Sequence, residues 1–81
     1  MIEKTVTISA PEGLTSKNVT ALIAKANEFP CMISLEYSSR RVNCKSLLGV
    51  LSLGLKCGDA ITLSAIGEGE EAAVDTISAM L

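Results

Sequence analysis

The side chains best placed to do chemistry in this sequence are hydroxyls, because the chain contains no histidine. It therefore lacks the side chain most often used as a general base near neutral pH and as a metal ligand. Hydroxyls stand at two predicted helix starts: Thr15 and Ser16 at one, and Ser46 at the other. No histidine or acid stands beside Thr15 or Ser16 to activate it as a nucleophile. The residues alone therefore favour helix capping over catalysis at these positions, and no catalytic residue is predicted.

Both helix starts also have the chemistry to receive negative charge. Free amides, hydroxyls and Lys17 at the first start could bind an anion, although most helix starts look similar and no Walker-type glycine pattern is present. At the second start, a phosphate on Ser46 would add negative charge at a helix N-terminus beside Lys45. A modification of Ser46 would be tolerated there without unfolding the domain.

Three cysteines, Cys31, Cys44 and Cys57, leave an odd thiol after any pairing, and none belongs to a C-x-x-C pair. A disulfide framework or a zinc site is therefore not expected, and neither a metal nor a cofactor is predicted. The simplest interpretation is that all three are small buried hydrophobes in a protein of the reducing cytosol.

Charge and hydropathy exclude several partners. The net charge is −2, with 7 basic and 9 acidic residues, and only Phe29 and Tyr37 are aromatic, which disfavours direct binding to nucleic acid. The apolar runs are too short to span a bilayer, and the first residues lack the apolar core of a secretory signal. We expect a cytoplasmic protein without a membrane contact.

The elements that must position the hydroxyls follow from periodicity. A length of 81 residues allows a single domain over 1–81. Alternation predicts a strand over Ile2–Ile8, and helical spacing predicts a helix that starts near Thr15 or Ser16 and ends by Phe29, before Pro30. The later pattern predicts a hairpin of two strands, a short helix, a fourth strand and a last helix, at 33–37, 40–42, 47–53, 60–66 and 69–81. The order βαββαβα indicates a two-layer α+β fold with the helices on one face of a single sheet.

The short second helix is too apolar for one buried face. Five of its seven residues from Leu47 to Leu53 are apolar, and at 100° per residue Val50 and Leu53 lie on a different side from the leucines. The leucines Leu47, Leu48 and Leu51 are therefore either a docking surface for a partner or covered by a neighbouring loop.

The segment VNCKSLLGVLSLG, residues 42–54, resembles the regulatory-serine segment of the HPr family, small phosphocarriers of the bacterial phosphoenolpyruvate-dependent sugar phosphotransferase system. The resemblance extends over nearly the whole chain, including Gly13-Leu14 before the first helix and Gly67 before the last. It implies an open-faced β-sandwich, with a four-stranded antiparallel sheet and three helices on one face.

The same resemblance shows where the sequence departs from the family. Thr15 occupies the place of the histidine that carries phosphate in the family signature, and Ser16, Lys17 and Asn18 replace its alanine, arginine and proline. Lys17 keeps the charge of the arginine but not its bidentate fork. The family's Crh branch also lacks this histidine and keeps the regulatory serine.

The resemblance therefore implies a regulatory protein without histidine phosphocarrier activity, phosphorylated at Ser46. The implied partners are HPr kinase/phosphorylase and a LacI-type catabolite-control regulator, which would contact Leu47, Leu48, Leu51, Lys17 and Lys45. Two alternatives stay open. One is phosphotransfer from Enzyme I to a hydroxyl at Thr15 or Ser16, and the other is a docking module without phosphorylation.

Overall fold

The computed structural model describes all 81 residues. Seven elements follow the predicted order: β1 Ile2–Thr7, α1 Ser16–Ala26, β2 Met32–Tyr37, β3 Arg40–Asn43, α2 Leu47–Ser52, β4 Ala60–Ile66 and α3 Glu70–Met80. The four strands form one antiparallel sheet in the spatial order β1-β4-β2-β3. The predicted α+β architecture, with three helices and a four-stranded antiparallel sheet, is confirmed.

One continuous core lies between the sheet and the helices. The alternating strand residues Ile33, Leu35, Ile61 and Leu63 are buried on the helical side of the sheet. Helix α3 contributes Ala73, Val74 and Ile77 to this core, as its helical spacing predicts, and Leu81 is buried beyond its end.

The opposite face of the sheet is mostly polar. Thr5 pairs with Thr62 across β1 and β4 on this face. Two apolar side chains interrupt the pattern, because Met32 and Ile66 are paired there and both are exposed.

Helix α1 starts at Ser16 and ends before Phe29, as the sequence predicts. Its last residue is Ala26, and Asn27 is the C-cap. The backbone amide of Asn27 donates to the Ile23 carbonyl at 2.9 Å, and its side-chain Nδ2 donates to the same oxygen at 3.1 Å. The next two amides, of Glu28 and Phe29, each donate three residues back, to the carbonyls of Lys25 and Ala26 at 3.0 and 3.2 Å, so tighter turns replace the α-helical pattern before Pro30.

The β2–β3 hairpin turns through two serines. Ser38 and Ser39 have φ values of 52° and 67°, and Tyr37 pairs with Arg40 across the turn. Positive φ at both central residues is the requirement of a type I′ turn, whose twist matches that of the strands. The turn forms here without the Asn-Gly sequence that favours it.

The cysteine prediction is partly wrong. Cys31 and Cys44 are buried, but Cys57 is exposed in the loop between α2 and β4. Cys57 stands directly before the turn at Gly58, which has φ 95°, outside the strands and helices that enclose the core.

Candidate functional site

Ser46 occupies the N-cap of α2, as the sequence predicts. Its backbone is extended, with φ −106° and ψ 115°, and its Oγ accepts a hydrogen bond from the Gly49 amide at 3.2 Å. The Ser46 carbonyl accepts from the Val50 amide at 3.0 Å, which closes the first turn of the helix. The hydroxyl is half-buried, and it lies where amide dipoles favour negative charge.

The turn that leads into Ser46 is held by its own side chains. Asn43 Oδ1 accepts from the Lys45 amide at 2.8 Å, and the Asn43 carbonyl accepts from the Ser46 amide at 3.0 Å. Lys45 Nζ donates to the Phe29 carbonyl at 2.6 Å. The Lys45 ammonium therefore already has a partner at the end of the turns that follow α1.

Cys44, two residues before Ser46, is buried with no exposed surface (0%). Burial raises the pKa of its thiol to about 12, against the opposing influence of the Lys45 charge. The thiol is therefore protonated and packs as a hydrophobe rather than acting as a nucleophile.

Helix α2 divides its apolar residues between core and solvent. Val50 and Leu53 are buried, whereas Leu47 is 42% exposed and Leu48 is 80% exposed. Leu51 is half-buried and packs against the core. We call Leu47, Leu48 and Leu51 the leucine surface, and no loop covers its first two members.

The start of α1 is closed by its own side chains. Thr15 is the N-cap, and its Oγ1 accepts from the Asn18 amide at 3.3 Å. The Asn18 side chain reaches back, with Nδ2 donating to the Gly13 carbonyl at 2.9 Å and to Glu12 Oε1 at 3.4 Å. A carboxylate thus lies beside the Thr15 helix start, where it would oppose a phosphate.

Ser16 and Lys17 follow this cap and are both exposed. Neither side chain makes a hydrogen bond or an ion pair with another residue. Lys17 is therefore the free cation at this end of α1, and Lys45 is not its equivalent at α2, because Lys45 is bound to Phe29.

The two helix starts belong to one layer of the molecule. Helix α1 packs directly against α2, and the Leu14 amide donates to the Leu55 carbonyl at 3.1 Å. Gly13 allows this approach, because a Cβ at its position would lie 2.7 Å from the Leu55 oxygen. A partner that covers α2 would therefore also lie near the segment that carries Thr15.

Both arginines of β3, Arg40 and Arg41, are exposed, yet each is hydrogen-bonded to another part of the chain. Arg40 donates from Nη1 to the Ser52 carbonyl at 3.0 Å and from Nη2 to Ser52 Oγ at 3.1 Å. Arg41 donates to Ser64 Oγ at 3.0 Å on the other face of the sheet. Sequence reasoning missed both contacts because each joins residues that are far apart in the chain, although strand alternation indicates opposite directions for adjacent arginines.

Metal-binding and membrane-spanning features are absent. No group of three cysteine, aspartate or glutamate side chains is arranged to hold a metal ion. The longest helices have 11 residues, and none combines the length and hydropathy of a membrane span.

Comparison with known proteins decides the family. A family model described as the "PTS HPr component phosphorylation site" matches residues 2–81. The chain belongs to the HPr family. The phosphocarrier protein HPr of Buchnera aphidicola is 38% identical to this chain over 81 residues, which is all of this chain and 95% of the relative. The HPr-like protein Crh of Halalkalibacterium halodurans is 32% identical over 81 residues, all of this chain and 96% of that relative.

Solved structures of the HPr family give the same result for the fold. The crystal structure of a phosphocarrier protein HPr from Bacillus anthracis superposes with a TM-score of 0.96 at 30% identity, covering 99% of this chain and 95% of that one. The resemblance to the HPr family inferred from sequence is therefore confirmed. Relatives bear both names, HPr and Crh, so membership alone does not distinguish a carrier from a regulator.

Proposed function

We propose that this member of the HPr family is a cytoplasmic regulatory and interaction protein, without phosphocarrier or enzymatic activity of its own. In this proposal HPr kinase/phosphorylase phosphorylates Ser46, and a LacI-type catabolite-control regulator binds the leucine surface of the phosphorylated protein. The γ-phosphoryl group of ATP is transferred to Ser46 Oγ, the bond to ADP breaks, and the hydroxyl proton is released. Lys17 and Lys45 are the cations that we place at the edge of this interface.

The observation that carries the proposal is the contrast between the two helix starts. At α1, the Thr15 hydroxyl accepts from the Asn18 amide, and the Glu12 carboxylate lies beside Asn18. At α2, Ser46 has no carboxylate among its contacts and stands next to exposed leucines. Negative charge is therefore tolerated better at Ser46 than at Thr15.

The chemistry of a phosphate ester on a hydroxyl also favours a regulatory role over a carrier role. A phosphate ester on threonine or serine is transferred far less readily than the phosphoramidate that a histidine forms. A chain without histidine is thus a poor relay of phosphate, whereas a stable serine ester suits a switch that persists until it is removed.

The experiment offers the protein both phosphoryl donors. In one reaction it is incubated with HPr kinase/phosphorylase and ATP, and in the other with Enzyme I and phosphoenolpyruvate, with a histidine-containing HPr as control in each. Peptide mapping by mass spectrometry is expected to find phosphate on Ser46 in the first reaction and none in the second. The Ser46→Ala variant is expected to stay unmodified in both.

Two results would overturn the proposal. Phosphate on Thr15 or Ser16 from Enzyme I would make the protein a divergent carrier. An unmodified Ser46, alongside a fully modified control HPr, would leave a docking module that works without phosphorylation.

A further inference from the structure

The C-terminal end of α2 depends on a residue from another element. The helix has six residues and no basic residue in its last turn, so it is too short to be stable without tertiary contacts. The carbonyls of Gly49, Val50 and Leu51 find donors within the helix end itself. The Ser52 carbonyl has no such local donor and accepts from the Arg40 guanidinium at 3.0 Å.

Arg40 holds this end with two hydrogen bonds. Its second nitrogen donates to Ser52 Oγ at 3.1 Å, and that hydroxyl in turn donates to the Gly49 carbonyl at 2.6 Å. These hydrogen bonds therefore link the Arg40 guanidinium to the helical turn that begins at Ser46 and carries Leu48. The guanidinium also brings a positive charge to the helix end where backbone dipoles favour one.

The neighbouring arginine does not share this role. Arg41 lies on the opposite face of the strand and donates to Ser64. The two arginines have the same chemistry and are both exposed, but only Arg40 contacts α2. They form a matched pair for experiment.

We propose that Arg40 is a positioning residue for the docking helix, acting through Ser52 to hold α2 in the conformation that partners recognise. This inference rests on the proposed function, since it concerns the same surface. Arg40 touches α2 at the end opposite Ser46, so its effect on recognition passes through the helix. Without it, α2 occupies the competent conformation for a smaller fraction of the time, and apparent affinity falls by that fraction.

The test measures the kinetics of Ser46 phosphorylation by HPr kinase/phosphorylase. Arg40→Met removes both hydrogen bonds to Ser52 and is expected to raise KM about threefold to tenfold, because the net contribution of hydrogen bonds at an exposed site is small. The value of kcat is expected to stay within about twofold, because the bound helix already has the competent conformation. Arg41→Met is expected to leave both constants unchanged. Arg40→Lys is expected to have a KM between those of the wild type and Arg40→Met, since lysine keeps the charge and can donate one hydrogen bond.

A second measurement separates positioning from loss of fold. The kinetics are run where urea denaturation shows each variant to be folded, and amide hydrogen exchange is followed by NMR. Arg40→Met is expected to speed exchange at Val50, Leu53 and Gly54, with Val19 in α1 unaffected. A general rise in exchange along both helices would overturn the positioning role.

Failure of this inference and failure of the proposed function have different signatures. If wild-type protein is not phosphorylated, the proposed function fails. If wild-type protein is phosphorylated and Arg40→Met matches Arg41→Met in KM, Arg40 does not position the helix. A fall in kcat at unchanged KM would also contradict it.

Discussion

Ser46 and Thr15 hold the same structural position, the N-cap of a helix, but differ in their surroundings. Each hydroxyl oxygen accepts one backbone amide, at 3.2 Å for Ser46 and 3.3 Å for Thr15. The carboxylate of Glu12 lies near the Thr15 cap and not near the Ser46 cap. The start of α1 therefore lacks the histidine of a carrier, and its hydroxyl and amide groups are already hydrogen-bonded within their own segment.

Replacement of Ser46 by alanine should cost stability even in the unmodified protein. Ser46→Ala removes the acceptor for the Gly49 amide, and loss of an N-cap of this type costs about 1 kcal/mol in the free energy of unfolding. Urea denaturation of the wild type and the variant measures this loss in the free energy of unfolding. Ser16→Ala is the control, because this exposed hydroxyl makes no bond and its loss should change stability by less than about 0.5 kcal/mol. Equal stabilities for the two variants would show that Ser46 does not cap α2.

The buried Cys44 thiol predicts a loss of stability in alkali. Its pKa is about 12 in the folded protein, whereas an unfolded thiol ionises near pH 8.5. Above that pH the unfolded chain releases a proton that the folded chain keeps, so stability falls as pH rises. Between pH 8 and pH 10 the wild type should lose about 1.9 kcal/mol more than Cys44→Ala.

Urea denaturation of both proteins in reducing buffer at pH 8, 9 and 10 measures this difference. Other ionising groups are common to the two chains and cancel in the comparison. Parallel curves for wild type and variant would contradict the burial of the thiol.

At the scale of elements, the loop before α1 is fixed by a close backbone approach. Gly13 has φ +74°, and a Cβ there would lie 2.7 Å from the Leu55 oxygen and 2.9 Å from the Lys56 Cα. Gly54 has φ +60° but no atom within 4 Å of such a Cβ. The two glycines share a backbone conformation and differ only in the available space.

Alanine at Gly13 should therefore destabilise the protein more than alanine at Gly54. A non-glycine residue in the left-handed conformation lowers the free energy of unfolding by about 1–2 kcal/mol, and both variants carry this cost. The overlap with the backbone of Leu55 and Lys56 adds to this cost only at Gly13, for a total of about 3 kcal/mol. Thermal and urea unfolding of the two variants check the order, and a Gly54→Ala protein as unstable as Gly13→Ala would contradict it.

Sequence periodicity was sufficient for the elements and for the division of α2. Alternation and helical spacing predicted all seven elements, and the 100° rotation predicted that Val50 and Leu53 lie apart from the exposed leucines. Only an upper limit for the end of α1, at Phe29, followed from Pro30. The tighter turns through Glu28 and Phe29, which end the α-helix at Ala26, have no periodic signal.

The contacts that set the site electrostatics were beyond sequence reasoning. Lys45 directly precedes Ser46 in the chain, and no sequence pattern indicates that its ammonium donates to the Phe29 carbonyl. The bond between Arg40 and Ser52 likewise depends on how the hairpin meets α2. Such pairs are fixed by tertiary packing between elements, and no local pattern in the sequence predicts them.

At the scale of the whole molecule, charge is divided between the two ends of the chain. The last basic residue is Lys56, and five acidic residues follow it. Asp59 lies before β4, and the other four lie in α3 or just before it: Glu68, Glu70, Glu71 and Asp75. The cations Lys17, Arg40 and Lys45 lie on α1, on β3 and before α2. Because α2 packs against α1 and β3, phosphate on Ser46 would add negative charge to the more basic side of the molecule.

The central claim is that phosphate on Ser46 turns the leucine surface into a binding site. Isothermal titration calorimetry of a purified LacI-type catabolite-control regulator with the Ser46-phosphorylated and the unmodified protein tests it most directly. The phosphorylated protein should bind at least about tenfold more tightly, because one new charge-assisted hydrogen bond is worth about 1.5–3 kcal/mol. Leu48→Asp, at a residue 80% exposed, should remove the binding without unfolding the chain. Equal affinity of the two forms, or binding that survives Leu48→Asp, would contradict the claim.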